Sequence, residues 1–509
     1  MLFALAAPPT NLYPALWLGL AGLAFSLDES IEGGKAGRVR RLGITSARGL
    51  AFGIGANMVA LRFVPDVIAR FTPLPWALGC VALVLLACEQ GVRWAAAAIV
   101  HSQLSRRGVP AWLAFGMGIY AGTFVPAVFP WNPAGGVTPI PAMVQLAELV
   151  GERGVTLLMA LSAGLLASAV RAYLEDRRSK RAVAYLASAL LLPLLTFVEG
   201  TLRVGHVESE RAKARTVRVG LIEPSTQALE RWDPARAQSI LERLTNLTRS
   251  AEKQGAELTV WPEAAYPMPV AHGSRYCPIG ARAVLPIGVR GPVLTGMILT
   301  GGDGDLWNSA ALCRTDGTMS APYDKIHLLW FGETIPFLDG IPWVRRTFSR
   351  GTGLVPGAGN VIQASGPIRA SVLNCFEDTL PGAGRDAMSD RPNLLVNVTN
   401  DAWFAGSAES ELHLRLAALR AIESRRDLVR AVNLGPTSWV DAAGVVRGRY
   451  EGPVAGLLVA TPALLEGGPT LYDRFGDLPT TLVLALFAIA AISRARRQKS
   501  EGRRHPATP

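Results

Sequence analysis

Five cysteines stand in 509 residues, none in a CxxC pair. That is too few for a disulfide framework, and the spacing of a structural zinc site is missing. Cys80 and Cys88 lie in an apolar stretch, where a cysteine is ordinary packing. Cys277 and Cys313 could pair if their loops meet outside the cytoplasm, which would leave Cys375 as an odd thiol. Charge is scarce too. Only 18% of residues are charged against 50% hydrophobic, and the mean hydropathy of +0.26 points to membrane segments. The chain has no GxSxG elbow, so no serine nucleophile of that type competes. It has no internal repeat and no low-complexity tract. No ligand cluster has metal spacing, so neither a metal nor an organic cofactor is expected.

What is present divides in two. Apolar runs fill the chain to about residue 200, with spans expected near 11–27, 44–66, 76–100, 110–129, 154–174 and 181–199 and another near 478–493. The opening MLFALAAPP reads as the tail of a further, truncated helix, giving about seven helices in a polytopic domain over 1–200. The formal charge of +11 is unevenly placed: GGKAGRVRR (33–41), HSQLSRRG (101–108), EDRRSKR (175–181) and the tail 495–509 are basic, while loops 67–75 and 130–153 are not. Basic loops remain cytoplasmic. Alternate loops are basic, so the region after residue 200 is expected outside, which in a bacterium is the periplasm. The positive charge then belongs to topology and anionic lipid, and no nucleic-acid partner is expected. Glu89 and Arg93, four residues apart in an apolar run, read as a paired bridge inside the bundle or a polar contact to a lipid headgroup.

Residues 216–465 have another texture. VRVGLIEP, AELTVWPE, VLTGMILTG, NSAALCRT, IRASVLNCFE, NLLVNVTND and LVRAVNLG are strand-like, and 233–255 and 407–426 have helical periodicity. This predicts an α/β domain of about 250 residues, followed by a transmembrane helix over 478–494.

Three strand ends deliver chemistry. TVWPEAAYP presents Glu263, PYDKIHLLWFGE presents Lys325 and Glu333, and VLNCFED presents Cys375. A thiol nucleophile needs a base and a cation for the oxyanion, and these residues supply both. Taken singly, each is more often a packed or solvated side chain. Taken together, WPEA, YDKIHLLWFGE and LNCFED resemble the nitrilase (carbon–nitrogen hydrolase) superfamily, whose fold is an αββα sandwich with a Glu–Lys–Cys triad. The membrane half narrows the resemblance to the apolipoprotein N-acyltransferase family. NVTNDAWFAGSAESELHLRLAALRAIESRRDLVRAVNLGPTSWVD, IEPSTQALERWDP and FPWNPAGGVTPIPAMVQLAELVG carry it across nearly the whole chain.

The resemblance implies a general base at Glu263, an oxyanion stabiliser at Lys325, the nucleophile at Cys375 and a second essential acid at Glu333. It implies substrate contacts at Trp232, Glu377 and Trp403, the tryptophans being open to a core-packing reading as well. The implied reaction moves a fatty acyl group from a membrane phospholipid, through a thioester, to the N-terminal amine of a diacylglyceryl-cysteine apolipoprotein, by a membrane-embedded monomer. A membrane-anchored amidase acting on a small amide is the alternative. Phe376 departs from the tyrosine usual in enterobacterial members, and the loop from Glu263 to Lys325 is short.

Overall fold

The computed structural model describes residues 2–32, 37–302, 304–330, 332–334, 341 and 353–504. Part of the first basic loop (33–36) and the last five residues of the basic tail lie outside the described residues. Contacts divide the chain into two units: 1–66, 75–202 and 474–509 form one, and 67–74 with 203–473 form the other.

The first unit is helical. Helices α1 (Pro14–Glu32), α2 (Arg38–Ala60), α4 (Trp76–Arg106), α5 (Ala111–Gly122), α6 (Ala147–Glu175) and much of α7 (Lys180–Lys213) follow one another, with the short α3 (Val64–Phe71) between α2 and α4. Among the described residues four helices are long and apolar enough to cross a membrane, the last being Leu478–Arg497, and a fifth span results if Arg40–Ala60 and Val64–Arg70 are one broken span. Apolar side chains such as Leu190, Leu194, Leu486 and Phe487 are more than half exposed. On helices of that length such exposure fits lipid-facing surface. Two expected spans are shorter in the structure. The 44–66 run breaks ahead of Pro65, and the helix expected over 110–129 stops at Gly122, ahead of Pro126 and Pro130. Leu2–Ala6 form a 3-10 turn whose Phe3 stacks edge-on against Phe52 and Trp94. Arg93 donates to the Trp131 carbonyl (3.1 Å) and to Asn132 Oδ1 (2.5 Å), and Asn132 in turn donates to Glu152 (2.5 Å). The Arg93 hydrogen bonds thus reach the 131–132 segment, where a bridge to Glu89 was one of the two expectations.

The second unit is built on two sheets. One runs in the order β14 (Gly456–Ala460), β2 (Val219–Glu223), β3 (Leu258–Val260), β5 (Val293–Thr300), β6 (Leu306–Cys313), β7 (Tyr323–Asp324), with β4 (Val270–Ala271) on β5. The other runs β13 (Val446–Tyr450), β12 (Thr437–Val440), β11 (Leu428–Asn433), β10 (Leu394–Asn400), β9 (Ile368–Asn374), β8 (Gln363–Ser365). The central strands β2–β3–β5 and β9–β10–β11 are parallel. Their continuous β-branched runs are what strands covered on both faces require. Alternation decides which face each residue serves. Val219, Leu221, Leu258 and Leu294 meet Val372, Val396 and Ala431 of the other sheet in one core. Ile222, Val293 and Met297 turn outward under α8 (Ala237–Lys253), and Leu373, Leu395 and Leu428 turn outward under the helices Pro381–Ala387 and Glu409–Ser424. The result is an αββα sandwich, each buried aliphatic contributing roughly 1.5–3 kcal/mol. All seven expected strands are present. Strands β4, β7, β8 and β12 to β14 were not expected, because their runs are only two to five residues long.

Candidate active site

Parallel strands put their C-terminal ends on one edge, and the predicted residues sit there. Glu263 follows β3 through Trp261 and Pro262. The next residue, Ala264, has φ +48. Gly296 on β5 makes room for this turn: a Cβ there would lie 2.3 Å from the Pro262 carbonyl oxygen and 2.7 Å from the Glu263 Cα. Lys325 follows β7 and is fixed by backbone hydrogen bonds from its N–H to Asn308 O and from Gly357 N–H to its carbonyl, both 2.8 Å. Cys375 follows β9, opening a 3-10 turn (Cys375–Thr379) at φ +55. A left-handed cysteine is a strained position that the surroundings must hold. They do so in part through Glu377, whose carboxylate accepts from the Asn374 backbone N–H at 2.8 Å.

The side chains converge. Lys325 is 1% exposed, with Nζ 2.8 Å from Glu333 Oε2 and 3.3 Å from Glu263 Oε1. Asn308 on β6 donates Nδ2 to Glu263 (2.6 Å) and to Glu333 (2.8 Å), and its Oδ1 accepts from Asn374 (3.1 Å). One amide therefore ties both acids to the residue preceding the thiol. Burial acts to lower the Lys325 ammonium, but Glu333 and then Glu263 outweigh it and hold it well above the ordinary lysine value. Burial, then Glu263, push the Cys375 thiol up, while Lys325 pulls it down. The resting group is thus a thiol beside a carboxylate and an ammonium, a set able to take a proton from sulfur and hold an oxyanion. The Lys325 ammonium also lies 5.5 Å from the centre of the Phe376 ring.

The remaining predicted residues are placed differently. Glu377 is fully buried. Its Oε1 accepts from the backbone of Ile326 and His327 (both 2.9 Å), and its Oε2 from Tyr323 Oη (2.7 Å) and Asn374 N (2.8 Å). It pins the segment after Lys325 to the turn that carries Cys375. Trp232 is 47% exposed and stacks under the Arg231 guanidinium at 4.9 Å. Trp403 ends the 3-10 turn Asp401–Trp403 and is partly buried. Asn308, Gly296, Asn374 and Tyr323 escaped the sequence reading. An asparagine opening an apolar strand and a glycine inside one were the available signals.

A second buried cluster lies behind the thiol turn. His413 Nε2 is 2.7 Å from Asp378 and its Nδ1 3.5 Å from Asp401, and Arg430 Nε is 3.1 Å from Asp378. Asp401, Glu409 and His413 hold their ligand atoms within 4.8 Å of one another, a spacing that could close on a metal ion. Both His413 nitrogens already face carboxylates, however, and Arg430 adds a second cation. The charge a metal would bring is already supplied. Away from both clusters, Cys277 and Cys313 form a disulfide, so this expected possibility is realised.

A carbon–nitrogen hydrolase type of sandwich, with a helical unit carrying candidate membrane spans, is the class that this fold and site define. Residues 288–461 match the carbon-nitrogen hydrolase family, and residues 1–165 match the apolipoprotein N-acyltransferase N-terminal domain. The apolipoprotein N-acyltransferase of Caulobacter vibrioides is 30% identical, over 97% of this chain and 92% of that protein. Those of Geobacter metallireducens and Bradyrhizobium diazoefficiens are 28% and 29% identical, over 98% and 99% of this chain and 94% of each of those proteins. An amidase of the nitrilase superfamily from Nesterenkonia AN1 matches 51% of this chain and 93% of its own length at 20% identity and a TM-score of 0.37. The chain belongs to the apolipoprotein N-acyltransferase family.

Proposed function

We propose that the chain transfers a fatty acyl group from a membrane phospholipid to the N-terminal amine of diacylglyceryl-cysteine in apolipoproteins, by a ping-pong route through a thioester on Cys375. The observation that carries the mechanism is Lys325 Nζ held between Glu333 and Glu263, with Asn308 bridging the two acids. Glu263 takes the thiol proton, and the sulfur forms a bond to the ester carbonyl carbon. Lys325 faces the resulting oxyanion, a role worth about 3–4 kcal/mol in comparable sites. As the C–O bond breaks, Glu263 returns its proton to the leaving alkoxide, and lysophospholipid departs. The acceptor amine then attacks the thioester, gives up a proton to Glu263, and the thiolate leaves and is reprotonated. Glu333 keeps Lys325 charged and aimed. Glu377, enclosed as it is, acts from behind on the Cys375 turn and the segment after Lys325, and substrate contact falls to Trp232 and Trp403.

The catalytic unit is assigned to the periplasmic side of the inner membrane. The basic loops support this, and so does the Cys277–Cys313 disulfide, which belongs in an oxidising compartment. Intact-mass spectrometry after incubation with phosphatidylethanolamine, beside Cys375→Ala, tests the reading. A fatty-acyl adduct on the wild type alone is expected. Absence of both adduct and lysophospholipid would remove the phospholipid donor and bring the small-amide hydrolase forward.

A further inference from the structure

Among the residues around the catalytic edge, Arg231 is placed for a ligand that the mechanism above does not yet use. Its Nε donates to the carbonyl of Ala264, the residue after the base, at 2.5 Å. Its guanidinium lies over the Trp232 ring. The neighbouring Arg243 is already engaged, by Glu230 at 3.1 Å and the Pro224 carbonyl at 2.9 Å. Arg231 has no such partner. Among the described residues no carboxylate lies within ion-pair distance of it, and its two Nη groups have no protein acceptor. A half-buried guanidinium whose Nε is spent and whose unpaired fork still faces solvent is free to take an anionic ligand, and its partial burial strengthens the pairing. Burial brings this cation down to about 10 and Glu263 works against the fall, so the group remains charged at neutral pH.

We propose that the Nη fork of Arg231 binds the phosphodiester of the acyl-donor phospholipid, setting its ester beside Glu263 and Cys375. A guanidinium matches two non-bridging phosphate oxygens in a planar, bidentate pair. The Nε anchor and the Trp232 face fix its orientation before the lipid arrives, which lowers the ordering cost of binding. Anchoring to Ala264 puts the phosphate next to the base, and the glycerol of a phospholipid joins phosphate and ester over a short reach. Trp232, half exposed, offers apolar surface to the glycerol and the start of the acyl chain. The fork recognises the phosphate shared by all glycerophospholipids, so donor choice by headgroup belongs elsewhere.

The inference rests on the phospholipid-donor reading, and the test separates the two. The full-length protein in detergent micelles is given phosphatidylglycerol or diacylglycerol of the same acyl composition, and thioester formation on Cys375 is followed by intact mass. The readout is the ratio of the two initial rates, for the wild type, R231Q and R231K. Arg231→Gln is expected to lower the phosphatidylglycerol-to-diacylglycerol ratio by roughly 10–100-fold, mainly through KM, with Arg231→Lys in between because it keeps the charge and loses the fork. A ratio within threefold of the wild type in both variants overturns the assignment and leaves Arg231 as a prop for the Glu263 turn. If R231Q does not fold, the R231K ratio decides alone. A wild type acylated by neither lipid would sink the donor reading itself, a failure visible before any variant is made.

Discussion

Two buried charge clusters lie within the same αββα sandwich, and they are balanced in different ways. Around Lys325 one ammonium faces two carboxylates, Glu263 and Glu333, with an amide shared between them. Around His413 three acids, Asp378, Asp401 and Glu409, face an imidazole and a guanidinium. Burial, then Asp401, push Glu409 up to about 8, so at neutral pH it is held protonated. Burial acts to lower His413, but Asp378 and Asp401 together lift it to about 10. Two anions then meet two cations, so the charges of the second cluster cancel. The first keeps one negative charge in excess beside a thiol, and moving the thiol proton to Glu263 leaves that total unchanged. Surplus acceptor capacity at an open edge marks a site that handles protons, while full neutralisation marks one that holds elements together.

The largest expected effect tests the open cluster. Lys325→Met removes the proposed oxyanion donor and leaves two facing carboxylates, so thioester formation should fall by at least ~10²–10³-fold. Stopped-time intact mass checks it, and an adduct rate near wild type would end the claim that this lysine faces the reacting carbonyl. The closed cluster should answer in stability. His413→Gln strips the cation that joins Asp378 to Asp401 and should cost about 3–5 kcal/mol, read as a fall in Tm. If activity vanished at unchanged Tm, the contrast between the clusters would collapse.

Much of this was legible in the chain. Parallel strands buried on both faces write themselves as continuous β-branched runs, and Glu263 and Cys375 follow such runs and could be found by position, whereas Lys325 follows only the two-residue strand Tyr323–Asp324 and was found by its resemblance motif. Asn308 could not, because its importance lies in pairing across strands to residues far away in sequence. Glu377 was visible as an acid beside the thiol, but its direction was not: one strand end can aim a carboxylate at substrate or at backbone, and only packing chooses. The His413 cluster joins the thiol turn, the turn at Asp401, a helix and β11, a convergence that no local pattern encodes. The short span at Ala111–Gly122 shows the opposite failure, a hydropathy run that prolines cut into helix and loop.

Glu409 offers a finer test through pH. Below the ordinary carboxylate value of 4.5 it is protonated in folded and unfolded chain alike. Between 4.5 and about 8 only the unfolded chain gives up the proton, so folding loses stability as pH rises, by at most ~1.4 kcal/mol per unit. Above about 8 both forms are ionised and the loss is complete. Glu409→Gln keeps the neutral, donating form and removes the titration. Its Tm relative to wild type should climb from pH 5 to pH 8, and parallel pH curves would show that Glu409 is ionised in the fold and the second cluster is not neutral.

The smallest effect falls on Phe376, where the open cluster meets an aromatic face. At 5.5 Å from the ring centre, the Lys325 ammonium gains a cation–π attraction of about 0.5–1 kcal/mol. Phe376→Leu should therefore slow thioester formation by roughly two- to fivefold, while Phe376→Tyr, which keeps the ring, should remain within about twofold. The tyrosine variant carries the sharper information. Glu333 and Glu263 take two of the three Lys325 N–H donors, and the third is the one assigned to the oxyanion, so an added hydroxyl could only compete for it. A gain of tenfold or more with Tyr would mean that the hydroxyl reaches the thiol or the leaving group. The excess acceptor capacity of this cluster would then be insufficient by itself to manage the proton.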